Sequence, residues 1–226
     1  MNIDYVIYNA CEELTAIAHW GEYLLPVSWQ KNLHTKKHPE QTIIGRMLLF
    51  QRLTAMGYDY GSMPVMKYTT MGKPYFENHI HFNFAYNKNI ILVGVSEKEA
   101  IGIDVETMRP IPLHTYEQYF STDEWTRIMC SSNPTRNLID AWVTKEAANK
   151  LEGIKNMPVE ATKIRIKQRR IHVNGQKFYH ERVKLPAQYF CRVATKSTSR
   201  FRKIKVKNMT NQLMSSSSSM LYAVRA

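Results

Sequence analysis

The sequence predicts an α+β fold, on three observations. Apolar residues recur at helical spacing over residues 39–56, where Ile43, Ile44, Met47, Leu48, Phe50 and Leu53 make one face. Two strand-like segments follow: residues 79–86 alternate, residues 90–95 run apolar, and Asn87-Lys88-Asn89 turns the chain between them. The order then repeats, with two helical segments ahead of short strands near residues 163–167, 170–173, 177–182 and 189–194.

Local signals fix the ends of these elements. Pro39 suits the first turn of the first helix, and Gly57 ends it. Ser121 stands three residues before Glu124, a capping box that opens the second helix. Residues 131–135 read as a loop, and the third helix runs from about Asn137 to Glu152, where Gly153 stops it. Asn174-Gly175 is a strong hairpin turn. Residues 1–38 show only short apolar runs among turn-formers, ending in a basic stretch with Lys36 and Lys37.

Composition narrows the functional classes. A hydrophobic fraction of 44% over 226 residues is that of a globular chain with a real core. No apolar run reaches the length of a membrane span, and the N-terminus has early acids and no basic patch, so no secretory leader is expected. Cys11, Cys130 and Cys191 are far apart with no C-x-x-C, against a zinc site or a disulfide framework and for a reducing, cytoplasmic setting. The formal charge of +12 is concentrated between Lys163 and Lys207, where fifteen Lys and Arg meet a single acid, Glu181. Such a segment steers an acidic partner toward itself. Nucleic acid is an alternative partner, and a merely solvated surface is another. Against nucleic acid, the stretch has no stacking platform and no recognition helix.

The chemistry concentrates in two segments. In Ile101–Glu106 (IGIDVE), residues two apart share a strand face, so Asp104 and Glu106 point the same way. In Trp142–Gly153 (WVTKEAANKLEG), Trp142, Glu146 and Lys150 fall at i, i+4 and i+8 on one side of a helix. Paired carboxylates repel unless a cation lies between them. If Glu146 faces the strand, three carboxylates converge with a lysine one turn away, a set suited to Mg²⁺ and substrate phosphates. The alternative is a solvated acidic strand and a surface helix.

Together these motifs resemble the 4′-phosphopantetheinyl transferases of the surfactin-synthetase-activating type, which carry G-[IV]-D-[IV]-E on a strand and W-x-x-K-E-x-x-x-K on a later helix. Both patterns stand intact here as Gly102–Glu106 and Trp142–Lys150. The likeness extends to Gly72-Lys73-Pro74, Phe82-Asn83-Phe84 and Tyr119–Trp125, and covers most of residues 40–195. It implies two similar α+β lobes related by a pseudo-two-fold, with coenzyme and metal between them. On that basis we expect lobes over residues 1–100 and 101–196, then a basic, Ser-rich, loosely docked tail over 197–226.

The resemblance also implies the reaction. A carrier-protein serine takes phosphopantetheine from coenzyme A, the carrier being an acidic acyl, peptidyl or aryl carrier protein. Asp104, Glu106 and Glu146 would bind Mg²⁺, with Glu146 also the base and Lys150 neutralising the pyrophosphate. Lys73, Arg46, Lys36 and Lys37 are expected at the coenzyme's phosphates. Family members place a Ser-His pair where this chain has Ala85 and Tyr86, so Tyr86 stands at the 3′-phosphate with a phenol in place of a histidine. That departure keeps open a relative that binds coenzyme A or a carrier without efficient transfer. A monomer is expected.

Overall fold

A computed structural model of the chain describes residues 1–8, 11–33, 37–153, 162–165, 169–173, 175–197 and 204–213. The chain divides into two compact units, one of Asn2–Glu97 with the segment from Lys205 onward, the other of Lys98–Ile204. Helices and largely antiparallel sheets occur in both, the α+β class that the element order predicts.

In the first unit, β1 (Asn2–Ile7) is followed by α1 (Cys11–Leu24), α2 (Val27–Gln30) and α3 (Pro39–Thr54). The small ladder β2 (Lys67–Tyr68) and β3 (Pro74–Tyr75) leads to the hairpin β4 (His81–Asn87) and β5 (Ile90–Ser96). β5 lies inside the sheet between β1 and β4, which explains why its whole length is buried and why it is apolar up to Ser96. α3 has Pro39 in its first turn and no side-chain bond from His38 at its N-cap. That missing cap costs about 1 kcal/mol. Full burial of Leu48, Leu49 and Leu53 contributes about 1.5–3 kcal/mol each, so the apolar stripe decides the helix. Asp4 on β1, fully buried, takes a two-bond fork from Arg52 of α3, with Nε to Oδ2 at 2.6 Å.

Two features of this unit were not expected. The first is α1, where Leu14, Ile17 and Ala18 bury one helical face in a stretch read as turns and short apolar runs. The second lies in the expected tail. β11 (Lys205–Asn208) runs parallel to β1 at the edge of the sheet, and Met209 and Leu213 enter the core. Every side chain of β11 is exposed, so backbone pairing alone holds it and its hydropathy gives no strand signal. The Ser215–Ser219 run lies outside the described residues.

The second unit is built on the sheet β6-β10-β9-β8-β7. Its strands are β6 (Ile101–Thr107), β7 (Thr162–Arg165), β8 (Arg170–Val173), β9 (Gln176–Arg182) and β10 (Tyr189–Thr195), close to the predicted spans. Of the predicted Asn-Gly turn, Asn174 is outside the described residues, while Gly175 holds a φ of +77°. α4 (Thr122–Met129) opens on the predicted capping box, with both Ser121–Glu124 bonds present. α5 (Pro134–Glu152) starts three residues before the predicted helix, because the Asn133 side chain accepts from the Arg136 amide at 3.0 Å and Pro134 sits in the first turn. It ends on Gly153 at φ +72°, the left-handed C-cap. Ala147, Ala148 and Leu151 pack on Ile171, Val173, Phe178 and Ala194, so α5 lies across the sheet face.

Candidate active site

Two residue choices bring α5 onto β6. Ile101, Ile103 and Val105 are fully buried on one strand face, and Gly102, Asp104 and Glu106 alternate with them. A Cβ on Gly102 would overlap the Ala147 carbonyl oxygen and lie 2.5 Å from the Leu151 nitrogen. The helix backbone therefore rests on the strand at the one residue that has no side chain. From that contact, Asp104 and Glu106 lie two and four residues along the strand, and Glu146 and Lys150 lie on the helix beside them.

Lys150 Nζ donates to Asp104 Oδ1 at 2.7 Å. Asp104 is almost wholly buried, and burial pushes its carboxyl above the usual range despite that lysine. Burial raises Glu146 as well, and the charges of Asp104 and then Glu106 add to the rise, against Lys150 and a 3.4 Å hydrogen bond from Asn149 Nδ2. Glu106 accepts from Arg109 Nη1 at 3.3 Å. A carboxyl raised in the folded state loses stability as pH rises through its folded value, so Asp104 and Glu146 cost stability when ionised. Such a cost marks a functional cluster more often than a structural one.

The donor set suits a hard divalent cation. Among the described residues, no three His, Cys, Asp or Glu side chains are already placed to hold a metal ion. An open arrangement of carboxylates is compatible with Mg²⁺, which keeps waters and shares substrate phosphates.

Around this cluster the same helix makes structural contacts. Trp142 meets Tyr116 and Tyr119 edge-on, with ring centroids 5.3 and 5.2 Å away. Lys145, buried within the motif, reaches Glu124 Oε2 at 2.9 Å and the Tyr119 carbonyl at 2.9 Å, and lies over the Phe120 ring. Sequence reasoning assigned Glu124 to the capping box alone; the i, i+4 walk along α5 passes over Lys145 and gave no sign of this pair.

His180 on β9 is 2% exposed, and neither ring nitrogen has a hydrogen-bond partner among the described residues. Burial, with Arg192 and Arg169 nearby and only Asp140 opposing, pushes its pKa down to about 4. The unfolded chain takes up this proton below about 6.5, where the folded protein does not. Stability is thus full above about pH 6.5 and falls as pH drops toward 4, by about 3 kcal/mol from this group. We expect His180→Phe to flatten that part of a melting-temperature profile taken between pH 7.5 and 4; an unchanged slope would assign it elsewhere.

The remaining predicted residues lie in the other unit. Lys73 follows Gly72, whose φ of +79° makes the turn, and its amide donates to Thr69 Oγ1 at 3.1 Å. Lys37 is exposed, and Lys36 lies outside the described residues. Arg46 needs correction as an outward-reaching phosphate contact. It is 2% exposed, and its Nη1 donates to the carbonyls of Trp29 and, at 3.0 Å, Lys31. Glycine at position 45 of α3 makes room for Tyr86, whose hydroxyl would lie 2.7 Å from a Cβ there. Burial pushes the Tyr86 phenol well up, with the Arg46 charge opposing, so it is neutral and serves only as a hydrogen-bonding group. Ala85 beside it is fully buried. No helix among the described residues is long and apolar enough to cross a membrane.

Comparison with known proteins bears on the second unit above all. Residues 100–197 match the family model of the 4′-phosphopantetheinyl transferase superfamily. The chain is 28% identical over 148 residues to a 4′-phosphopantetheinyl transferase of Bacillus subtilis, covering 61% of this chain and 63% of that protein. It is 28% identical over 100 residues to the 4′-phosphopantetheinyl transferase ffp of Bacillus subtilis, covering 42% and 44%. With the 4′-phosphopantetheinyl transferase gsp of Aneurinibacillus migulanus it shares 23% over 119 residues, covering 52% and 50%. The chain thus spans about half the length of the curated relatives it matches. The matched segment, residues 100–197, is the part of the chain that holds the β6 carboxylates and the α5 motif, and it is this segment that is similar to the 4′-phosphopantetheinyl transferase superfamily.

Proposed function

We propose that this protein transfers the 4′-phosphopantetheine arm of coenzyme A to a serine of an acyl, peptidyl or aryl carrier protein, with Mg²⁺. The observation that carries the reading is the meeting of Asp104 and Glu106 on β6 with Glu146 and Lys150 on α5, inside the matched segment. Asp104, Glu106 and Glu146 would hold the Mg²⁺, which would offset charge on the pyrophosphate oxygens.

Glu146 is the base. Its raised pKa makes it a better proton acceptor than an exposed carboxylate. The serine oxygen bonds to the phosphorus bearing pantetheine as that phosphorus loses its bridging oxygen. Adenosine 3′,5′-bisphosphate leaves with the bonding pair, and the serine proton passes to Glu146 directly or through water. Lys150 places its ammonium where negative charge gathers on the leaving group. Lys73 and Lys37 are among the basic residues that the family resemblance assigns to coenzyme phosphates. The basic stretch between Lys163 and Lys207 supports an acidic carrier as partner through long-range steering. The free thiols of Cys130 and Cys191 agree with a reducing, cytoplasmic setting.

The test is Mg²⁺-dependent release of adenosine 3′,5′-bisphosphate from coenzyme A, followed by chromatography with several apo-carriers and with a chelator. Release that requires both carrier and Mg²⁺ is expected. Coenzyme binding with no release for any carrier would favour a second reading, a relative that binds without efficient transfer.

Tyr86 motivates that second reading. A charge-assisted bond to phosphate is worth about 1.5–3 kcal/mol, roughly ten- to a hundredfold in affinity, and a neutral phenol does not supply it. Coenzyme A and its 3′-dephospho form should bind within a small factor of each other. Tyr86→His is expected to strengthen coenzyme A selectively by about tenfold in titration calorimetry. A native preference above about a thousandfold, unmoved by the substitution, would show another cation already in that role.

A further inference from the structure

Directly across the β6–β10 pairing from Asp104 stands Arg192. Cross-strand partners place their Cβ atoms about 5 Å apart on the same face, an easy reach for a guanidinium. Arg192 does not take that carboxylate. Its Nε donates to Asp140 Oδ1 at 3.0 Å and its Nη2 to Asp140 Oδ2, a fork onto α5. The pair is largely shielded, with side-chain exposures of 14% for Arg192 and 27% for Asp140. On its other side Arg192 pairs across the sheet with Arg182. A row of Asp104, Arg192 and Arg182 therefore crosses three strands. Without the charge of Asp140, Arg192 would stand between a like charge and the carboxylate that Lys150 now holds, and Coulomb attraction favours the carboxylate.

We propose that Asp140 is a positioning residue of the carboxylate site: it holds Arg192 off Asp104, which keeps Asp104 available to Lys150 and to a metal ion. This inference rests on the Mg²⁺ reading above, although its first test does not. Asp140 carries no ligand itself, and its effect passes wholly through Arg192. A clip that merely fastened α5 to β10 would behave differently, since losing either partner would then do the same harm.

Three variants separate the two roles: Asp140→Asn, Arg192→Gln and the double substitution. In a metal-free crystal structure of Asp140→Asn, Arg192 is expected within hydrogen-bonding distance of Asp104. Arg192 remaining on residue 140 would overturn the proposal. By calorimetry with MgCl₂, Asp140→Asn is expected to weaken binding by about tenfold, the effect of one cation on a neighbouring carboxylate. Arg192→Gln and the double variant should bind Mg²⁺ within about twofold of the native protein, as a neutral side chain does not compete. Equal loss in all three variants would assign the pair a fastening role and refute ours. A native protein that binds Mg²⁺ and shows this pattern, yet transfers nothing, would refute the transferase reading and leave this one intact.

Discussion

Glu146→Gln is expected to lower the turnover of phosphopantetheine transfer by about 10³-fold while the protein stays folded. The amide keeps the shape and the contact with Asn149, but it cannot take a proton and binds a cation poorly. Stability should hold or rise slightly, because the ionised form of this carboxyl is disfavoured by burial and by Asp104. The same logic separates Asp104 from Glu146. Asp104→Ala also strands the Lys150 ammonium, so its activity loss comes with altered packing. Rapid-quench turnover and thermal melts on the same Glu146→Gln sample check both halves. Near-native turnover in a folded Glu146→Gln protein would remove this residue from the chemistry.

The second large effect concerns Gly102. A side chain there meets backbone on the helix, at the Ala147 carbonyl and the Leu151 nitrogen and Cα, and backbone does not step aside as a flexible side chain can. Overpacking usually costs about 1–3 kcal/mol and more where nothing can relax. Gly102→Val is expected to cost on the order of 4 kcal/mol, at the diagnostic end of single substitutions. Any folded remainder must carry α5 away from β6, separating Lys150 from Asp104. Urea titration reads the stability, and the two losses should appear together. A Gly102→Val protein of native stability would show that α5 does not rest on the strand here.

These two residues also show what the sequence made legible. Alternation in IGIDVE and the i, i+4 spacing of Glu146 and Lys150 define faces, but faces left open whether strand and helix meet, and the expectation that they do came from the family resemblance. Gly102 was legible only as part of a motif, since the need for a missing side chain belongs to the partner helix. β8 and β9 were read well because each buries alternate residues, as in Phe178 and His180 of β9. β11 escaped because it buries no side chain and pairs through its backbone. α1 escaped for a different reason: its apolar positions sit among residues that read equally well as turns. Arg46 was misplaced because a helical arginine has two destinations, solvent or buried carbonyls, and only the packing of Trp29 and Lys31 decides between them. The pairs Glu124–Lys145 and Asp140–Arg192 join residues 21 and 52 positions apart, beyond any local pattern.

One measurement bears most directly on the central claim, that the carboxylates of β6 and α5 serve phosphopantetheine transfer. The purified protein is incubated with coenzyme A, Mg²⁺ and a panel of apo-carrier proteins, and each carrier is weighed intact by mass spectrometry. The account predicts that at least one carrier gains the mass of a single 4′-phosphopantetheine arm on its serine. It further predicts that the gain vanishes with a chelator and with Glu146→Gln. A carrier modified equally by native and Glu146→Gln protein, or transfer undiminished without divalent metal, would contradict it.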